Sequence, residues 1–451
     1  MAEISIPWGD ETLTAALPAE WTIQQVASPT VPAAPSDWPE YLARALARPE
    51  GTMPLGKLLA ARRHGRIAIV VEDLSRSSPL PTILKAIFGE LTHAGVPNEN
   101  IEIFFALGMH PPLTAAQAAE KIGPELAGSV AWRGNPWRDS DAYVNLGTVS
   151  VADAGRVELW VDRGVASADL RILVSSVSPH LQAGFGGGYK MLVPGCAYLD
   201  TIRQLHLATV PRQPTQQVGQ AGSVNAMRRL IDAGGAVIDA AAGSSFGVQY
   251  LLDTAGQVAA VAAGDVAVCQ RMLAKQCAAG CGVPVQSPAD VVITNAFPRD
   301  HDLWQSFKAI AHACWAVREN GVLICLSRCP GGVNMPTFSL PIGAKWARMA
   351  VRAVGANVLG CLLSRLVPGL AADVTFFVRL AMQIIQRIHV LMVSPALAEA
   401  GARMLGLPIF ADPTEAFAAA EQRLGGGAKR VIVSPAGGVT YPILRPSLGT
   451  G

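Results

Sequence analysis

Leu170-Arg-Ile-Leu-Val-Ser-Ser-Val177 runs directly into Ser178-Pro-His-Leu-Gln-Ala-Gly184-Phe-Gly-Gly-Gly-Tyr-Lys190, and this stretch decides how the chain is read. The first half has the apolar character of a buried strand. The second half carries glycine at 184, 186, 187 and 188. Glycines there remove side chains and admit positive φ, so backbone N–H groups can approach a bound group closely. His180 stands before the glycines, Lys190 closes them, and His206 follows after Pro194-Gly195. A ligand cradle fits this pattern; so does an ordinary strand-to-helix turn, because one Gly-rich loop is a weak signal.

Working outward, the pattern repeats. Arg66-Ile-Ala-Ile-Val-Val-Glu-Asp73 is a near-continuous apolar run of the parallel-strand type. It ends in Asp73-Leu-Ser-Arg76, and a helix is expected on to about Ala94. Asn100 to Leu107 is a second strand, ending in Gly108-Met-His110-Pro-Pro, with a helix from about Thr114 to Leu126. Three strands thus carry polar loops at their carboxyl ends, where open α/β sheets form ligand sites.

Elsewhere, two short strands are expected at Glu3–Pro7 and Leu13–Leu17, and a helix capped by Ser36. Another short helix is expected near 54–64, a loop at 211–222, and a mostly helical stretch to about Ala279. Gly280 to Pro288 reads as a linker. Beyond it the rhythm restarts. Strands are expected at Val291–Thr294, Val322–Leu326, His389–Val393 and Arg430–Val433, and helices at Leu303–Ala316, Pro395–Leu405 and Pro413–Leu424. The fold class is therefore α/β, with two domains of mostly parallel sheet, residues 1–285 and 286–451, and an active site expected in the cleft between them.

Composition narrows the function classes. With 451 residues, 50% hydrophobic and 16% charged, the chain has ample material for two cores. Thirty-six basic against 34 acidic residues give a formal charge of +2, without the basic patches that nucleic acid requires. The apolar region 360–385 is interrupted by Arg365, Pro368, Asp373 and Arg379, which argues against a membrane span. The first ten residues have neither the basic nor the apolar part of a signal peptide, so a cytoplasmic protein is expected. Cys277 and Cys281 lack the second pair of a zinc pattern, and all eight cysteines read as free thiols.

Each candidate residue admits two readings. Lys190 suits a surface position, a phosphate contact, or a nucleophile that links covalently to a cofactor. His206 suits a core histidine or a ligand for nickel, copper or zinc. Asp73 and Arg76 suit a local ion pair, or Arg76 a fork for a carboxylate or phosphate. His110 and His180 suit packing or acid/base work near neutral pH. Gln305 and Lys308 lie three apart and so share one face of a helix.

Taken together the motifs resemble the lactate racemase family. They are Asp73-x-x-Arg76, Gly108-Met-His110, Pro179-His180-x-x-Ala183-Gly-Phe-x-Gly187-Gly188-x-Lys190, Pro194-Gly195, His206 and Gln305-x-x-Lys308, in that order from about residue 66 to 308. The resemblance implies racemisation or epimerisation of a 2-hydroxy acid by hydride transfer to a nickel-pincer nucleotide. By the same resemblance Lys190 is the covalent anchor of that cofactor and His206 the protein ligand to nickel. His110 and His180 are the paired acid/base residues. Asp73, Leu74, Ser75 and Arg76, with Gly186, Gly187 and Gly188, line the cofactor. Arg76, Gln305, Lys308 and Trp304 meet the substrate. Proteins that build the cofactor are implied as transient partners. Tyr189, Leu74-Ser75 and Trp304 depart from the family's usual neighbours, which implies that a 2-hydroxy acid other than lactate fits at least as well. Two other classes are weighed beside it. A cofactor-storage protein needs no pair of histidines. A nucleotide-dependent dehydrogenase or transferase needs a dinucleotide fingerprint that the loop lacks.

Overall fold

The three strands that carry polar loops are neighbours in one sheet. A computed structural model, describing residues 2–211, 213–334, 344–366, 375–402 and 407–444, places Ile67–Val71 between Leu170–Ser176 and Ile101–Phe105. All are parallel, and Val71 pairs with both Val174 and Phe105, so the strands end in one row. Every residue of Ile67–Val71 and of Leu170–Ser176 is buried. Odd-numbered side chains such as Ile67, Ile69 and Val71 pack with helices Trp38–Ala47 and Leu80–His93. Even-numbered Ala68 and Val70 pack with helix Ala226–Ala241. A sheet covered on both faces needs continuous apolar strands, which explains why these runs do not alternate.

The sheet is completed by Ala131–Gly134 at one edge, and by Ser244–Leu252 and the antiparallel Val258–Gly264 at the other. Those last two strands correct the expected helical stretch before Ala279, of which only Ala226–Ala241 and Val266–Cys281 are helical. Val258–Gly264 is built from alanine, valine and glycine, a composition that reads as helix until a neighbouring strand claims it. The helix expected over 114–126 is two, Ala115–Ile122 and Pro124–Ser129. The break is Gly123 at φ +92° with Pro124 after it. Ser36 is not the cap of its helix, which begins at Trp38 behind Asp37.

The chain divides into two units. One comprises 31–209 and 220–279; the other comprises the described residues of 1–30, 210–219 and 280–451. The expected division into 1–285 and 286–451 differs from this at residues 1–30, 210–219 and 280–285. Glu3–Trp8 and Glu11–Ala16 form an antiparallel pair, and the unforeseen strand Trp21–Val26 lies parallel to Lys429–Ser434. This C-terminal unit has a parallel sheet in the order Ile409–Phe410, His389–Val393, Val317–Leu326, Ala289–Asn295, Lys429–Ser434, Trp21–Val26. The expected linker contains Gly282–Val285, a strand paired with Tyr441–Leu444. Helix Pro413–Leu424 stands as expected, and helix Leu303–Ala313 carries the expected Gln305 and Lys308. Pro368, Asp373 and part of the expected helix Pro395–Leu405 lie outside the described residues. No helix among the described residues is long and apolar enough to cross a membrane. Among the described residues the eight cysteines form no disulfide, and seven of them, Cys277 and Cys281 included, are buried.

Candidate active site

Aligned strand ends bring the first two loops together. Asp73 follows its strand and folds back on itself, Oδ1 accepting from the Ser75 amide at 3.1 Å and the Ser75 hydroxyl at 2.5 Å. Its other oxygen, Oδ2, meets Nδ1 of His110 from the loop of the next strand. Burial opposes ionisation of this carboxyl, yet His110, Arg76 and Ser75 together hold it well below the usual carboxylate range. The His110 ring thus has one nitrogen turned to a carboxylate and Nε2 turned away as the basic one. Its backbone oxygen accepts from the Trp137 indole at 3.1 Å.

Arg76 donates to the Ser75 carbonyl at 3.2 Å and hydroxyl at 2.9 Å, while Leu74 is exposed. Two buried groups that the sequence reading passed over support this loop. Lys121 donates to the Arg76 carbonyl at 2.5 Å and to Ser78 Oγ at 3.2 Å. Glu72 accepts from the Ser176 amide and hydroxyl at 3.0 and 2.8 Å and from the Tyr250 hydroxyl at 3.0 Å. Glu72 therefore ties the first strand end to the third.

The glycine loop is shaped by a residue forty positions away. Arg228, fully buried, donates to the carbonyls of Phe185, Gly186 and Gly187. Gln270 adds a second bond to Gly186 at 3.1 Å. In a planar trans peptide the N–H opposes the C=O, so pinning the Gly186 and Gly187 carbonyls turns the Gly187 and Gly188 amides away from Arg228. Both glycines have positive φ, +73° and +66°. A Cβ at Gly188 would stand 2.9 Å from the Gln270 side chain. Here glycine is demanded by both conformation and space.

Lys190 follows the turn. Burial, then the Arg76 and Arg228 guanidinium groups, push its amine down to about 7 against the pull of Asp73. It is therefore partly neutral at neutral pH, as a nucleophilic amine must be. Tyr189 beside it packs on helix Ala226–Ala241 and donates to Asp239 at 2.6 Å. The ring takes the space a Cβ on Gly235 would need, 2.1 Å away. His206, in the last turn of helix Leu199–Ala208, is buried, and burial pushes its imidazole down to about 4. Its Nδ1 donates to the Ile202 carbonyl at 2.7 Å, which leaves Nε2 as the unprotonated nitrogen of the neutral ring. The Lys190 charge contributes to the same lowering, so the two groups are electrostatic neighbours. Among the described residues no three His, Cys, Asp or Glu side chains converge on a common point. His180 sits in the hairpin Pro179–His180/Gly184–Phe185, its Nδ1 accepting from the Gln182 and Ala183 amides.

Trp304, Gln305 and Lys308 belong to the C-terminal unit. Asp302 caps their helix by accepting from the Gln305 amide at 2.7 Å. Lys308 Nζ donates to Gln305 Oε1 at 2.5 Å, so amide and ammonium form one cluster, as their spacing predicts. The Trp304 ring stacks on Phe377, with centroids 5.0 Å apart and planes 8° from parallel, and Phe377 also touches Phe307.

Comparison with known proteins bears on this geometry. The lactate racemase N-terminal domain model matches residues 8–219, and the lactate racemase C-terminal domain model matches 285–440. Lactate racemase of Thermoanaerobacterium thermosaccharolyticum is 26% identical over 338 residues, 74% of this chain and 76% of that one. Lactate racemase of Lactiplantibacillus plantarum is 24% identical over 334 residues, with the same coverage. The solved structure of the Thermoanaerobacterium apoprotein superposes with a TM-score of 0.80 at 23% identity, covering 99% of this chain and all of that one. A crystal structure of a Thermotoga maritima protein superposes at 0.64 with 16% identity, covering 90% of this chain and 98% of that one. Two domain models between them cover most of the chain, the solved apoprotein shares its α/β fold, and the chain belongs to the lactate racemase family, a family of isomerases.

Proposed function

We propose that the protein racemises or epimerises a 2-hydroxy carboxylic acid by hydride transfer, using a nickel-pincer nucleotide linked to Lys190. The observation that carries this reading is the pairing of a low-pKa amine, Lys190 at about 7, with the neutral imidazole of His206. The first suits covalent attachment, and the second suits a borderline metal such as nickel. When bound, the cofactor supplies an electrophilic ring that holds hydride, together with the remaining donors to the metal.

This chain's own residues do the rest. Nε2 of His110 takes the hydroxyl proton of the substrate, and Asp73 faces the imidazolium that results. His180 serves the hydroxyl in the opposite orientation. The amides of Gly187 and Gly188 and the Arg76 guanidinium suit the anionic parts of cofactor and substrate. Lys308 and Gln305 offer an ammonium and an amide donor for a carboxylate. A storage protein would have no use for the Asp73–His110 pair.

The test is racemisation of single enantiomers from a panel of 2-hydroxy acids in deuterated water, with protein made alongside the cofactor's biosynthetic enzymes. Hydride return gives the opposite enantiomer with protium at C2. Deuterium at C2 would overturn the hydride step, and no inversion of any acid would overturn the function.

A further inference from the structure

The two histidines read as a matched pair are held differently. At His110 a carboxylate oxygen faces Nδ1, so that nitrogen carries the hydrogen and Nε2 has the lone pair. At His180 the situation is reversed. Nδ1 stands 3.0 Å from the Ala183 amide and 3.3 Å from the Gln182 amide, and both donate to it. A nitrogen that accepts N–H hydrogens cannot carry one of its own, so the neutral His180 ring is protonated at Nε2.

The surrounding hairpin keeps this arrangement in place. His180 pairs with Gly184 across its two strands. Gln182, fully buried, donates through its side chain to the His206 carbonyl at 3.3 Å. The Gln182 carbonyl accepts from Asn225 at 2.8 Å, and Asn225 caps helix Ala226–Ala241. The amides that fix the His180 tautomer are thus anchored at both side chain and backbone.

We infer that His110 and His180 rest in opposite tautomers, so that His110 alone presents a basic nitrogen and His180 presents an N–H, fixed by the amides of Gln182 and Ala183. The kinetic meaning of this asymmetry rests on the racemase reading; the tautomers do not. A hydroxyl proton passes from substrate oxygen to His110 Nε2, leaving an imidazolium that faces Asp73. At His180 the substrate oxygen first meets a hydrogen-bond donor. His180 accepts a proton at Nε2 only after its hydrogen has moved to Nδ1 and the two amides have turned away. The resting protein is therefore ready for the enantiomer whose hydroxyl faces His110, and the other enantiomer waits for a local rearrangement. Gln182 and Ala183 act here as positioning residues.

Long-range proton–nitrogen spectra of the cofactor-free protein, labelled with 15N-histidine at neutral pH, test this directly. Signals are assigned by their loss in His110→Gln and His180→Gln. The expected result is Nε2 protonated and Nδ1 bare for His180, with the reverse for His110. A His180 ring protonated at Nδ1, or one averaging between tautomers, overturns the inference. The tautomers are read from the wild-type protein, and the two variants serve only to assign its signals. With loaded protein, acid-quenched single turnovers should release keto acid about 10²-fold faster from one enantiomer. Equal rates would overturn the kinetic asymmetry. Expected spectra with no keto acid from either enantiomer would instead overturn the racemase reading and leave the tautomers standing.

Discussion

Asp73 and His110, thirty-seven residues apart in sequence, meet because their strands are adjacent and end in register. The carboxylate fixes which nitrogen of the ring is basic, and Ser75 occupies its second oxygen. Asp73→Asn should keep the fold and lower kcat of the loaded protein by roughly 10²- to 10⁴-fold, the span typical of a positioned acid/base group. Steady-state racemisation rates check this. A loss confined to KM would mean that the pair only binds substrate.

Lys190 should be the most reactive amine of the cofactor-free protein at neutral pH, since ordinary lysines titrate near 10.4. Trace acylation followed by peptide mapping should label it first. In protein made with the cofactor pathway, intact mass should show one nucleotide-sized adduct, absent in Lys190→Ala. An adduct on another lysine would falsify the attachment.

His206→Ala should keep that adduct and lose nickel. The lysine link is separate from the metal, whereas the neutral imidazole is one of its ligands in the proposed site. Nickel content after gel filtration against a chelator gives the answer, and unchanged stoichiometry returns His206 to a packing role.

The Trp304–Phe377 stack stands next to the Gln305–Lys308 cluster and should set which side chain of the 2-hydroxy acid is accepted. Trp304→Tyr and Phe377→Leu should each reorder kcat/KM across a panel of acids with small, branched and aromatic substituents. A uniform loss across the panel would assign both rings to the core alone.

Acid should destabilise the protein well before its carboxylates titrate. Burial pushes His206 and His389 down to about 4 and His312 to about 3, whereas unfolded histidines titrate near 6.5. Between these values the unfolded chain binds more protons, so the stability that these three rings contribute is complete above about 6.5 and falls as pH drops toward the folded values. Denaturant midpoints measured from pH 7 to 4 should decline, with an uptake of about three protons on unfolding near pH 5. A flat profile would mean that these rings charge without unfolding.

The sequence made the framework of the site legible, because continuous apolar runs such as 67–71 and 170–176 followed by polar loops carry the parallel-sheet pattern within a dozen residues. Asp73, His110, His180 and Lys190 all sit where those loops begin or end. The hairpin Tyr143–Val151/Gly155–Asp162 went unread because its outer face is polar and its first strand is interrupted at Gly147. Trp21–Val26 looks like a polar loop until Lys429–Ser434 lies beside it. Arg228 was invisible for a similar reason. Its importance comes from three carbonyls about forty residues away, and nothing local to Arg228 records them. The mid-helix pair Gly234-Gly235 was a signal available in advance, since glycine inside a helix is costly unless something packs there, and at Gly235 the Tyr189 ring does.

Pairing of Trp21–Val26 with Lys429–Ser434 also orders events on the ribosome. Among the described residues the one neighbour of Trp21–Val26 in the sheet is Lys429–Ser434, synthesised about four hundred residues after it. Residues 31–209 and 220–279, by contrast, hold the partners of their own sheet and are all made before Lys429–Ser434. The unit with Lys190 and His206 can therefore gain its shape first, as N-terminal units generally do during synthesis. The C-terminal unit meanwhile keeps a β-forming segment waiting with its backbone unpaired. Such a segment is open to pairing with other chains, and the long delay makes it a segment that a chaperone would protect.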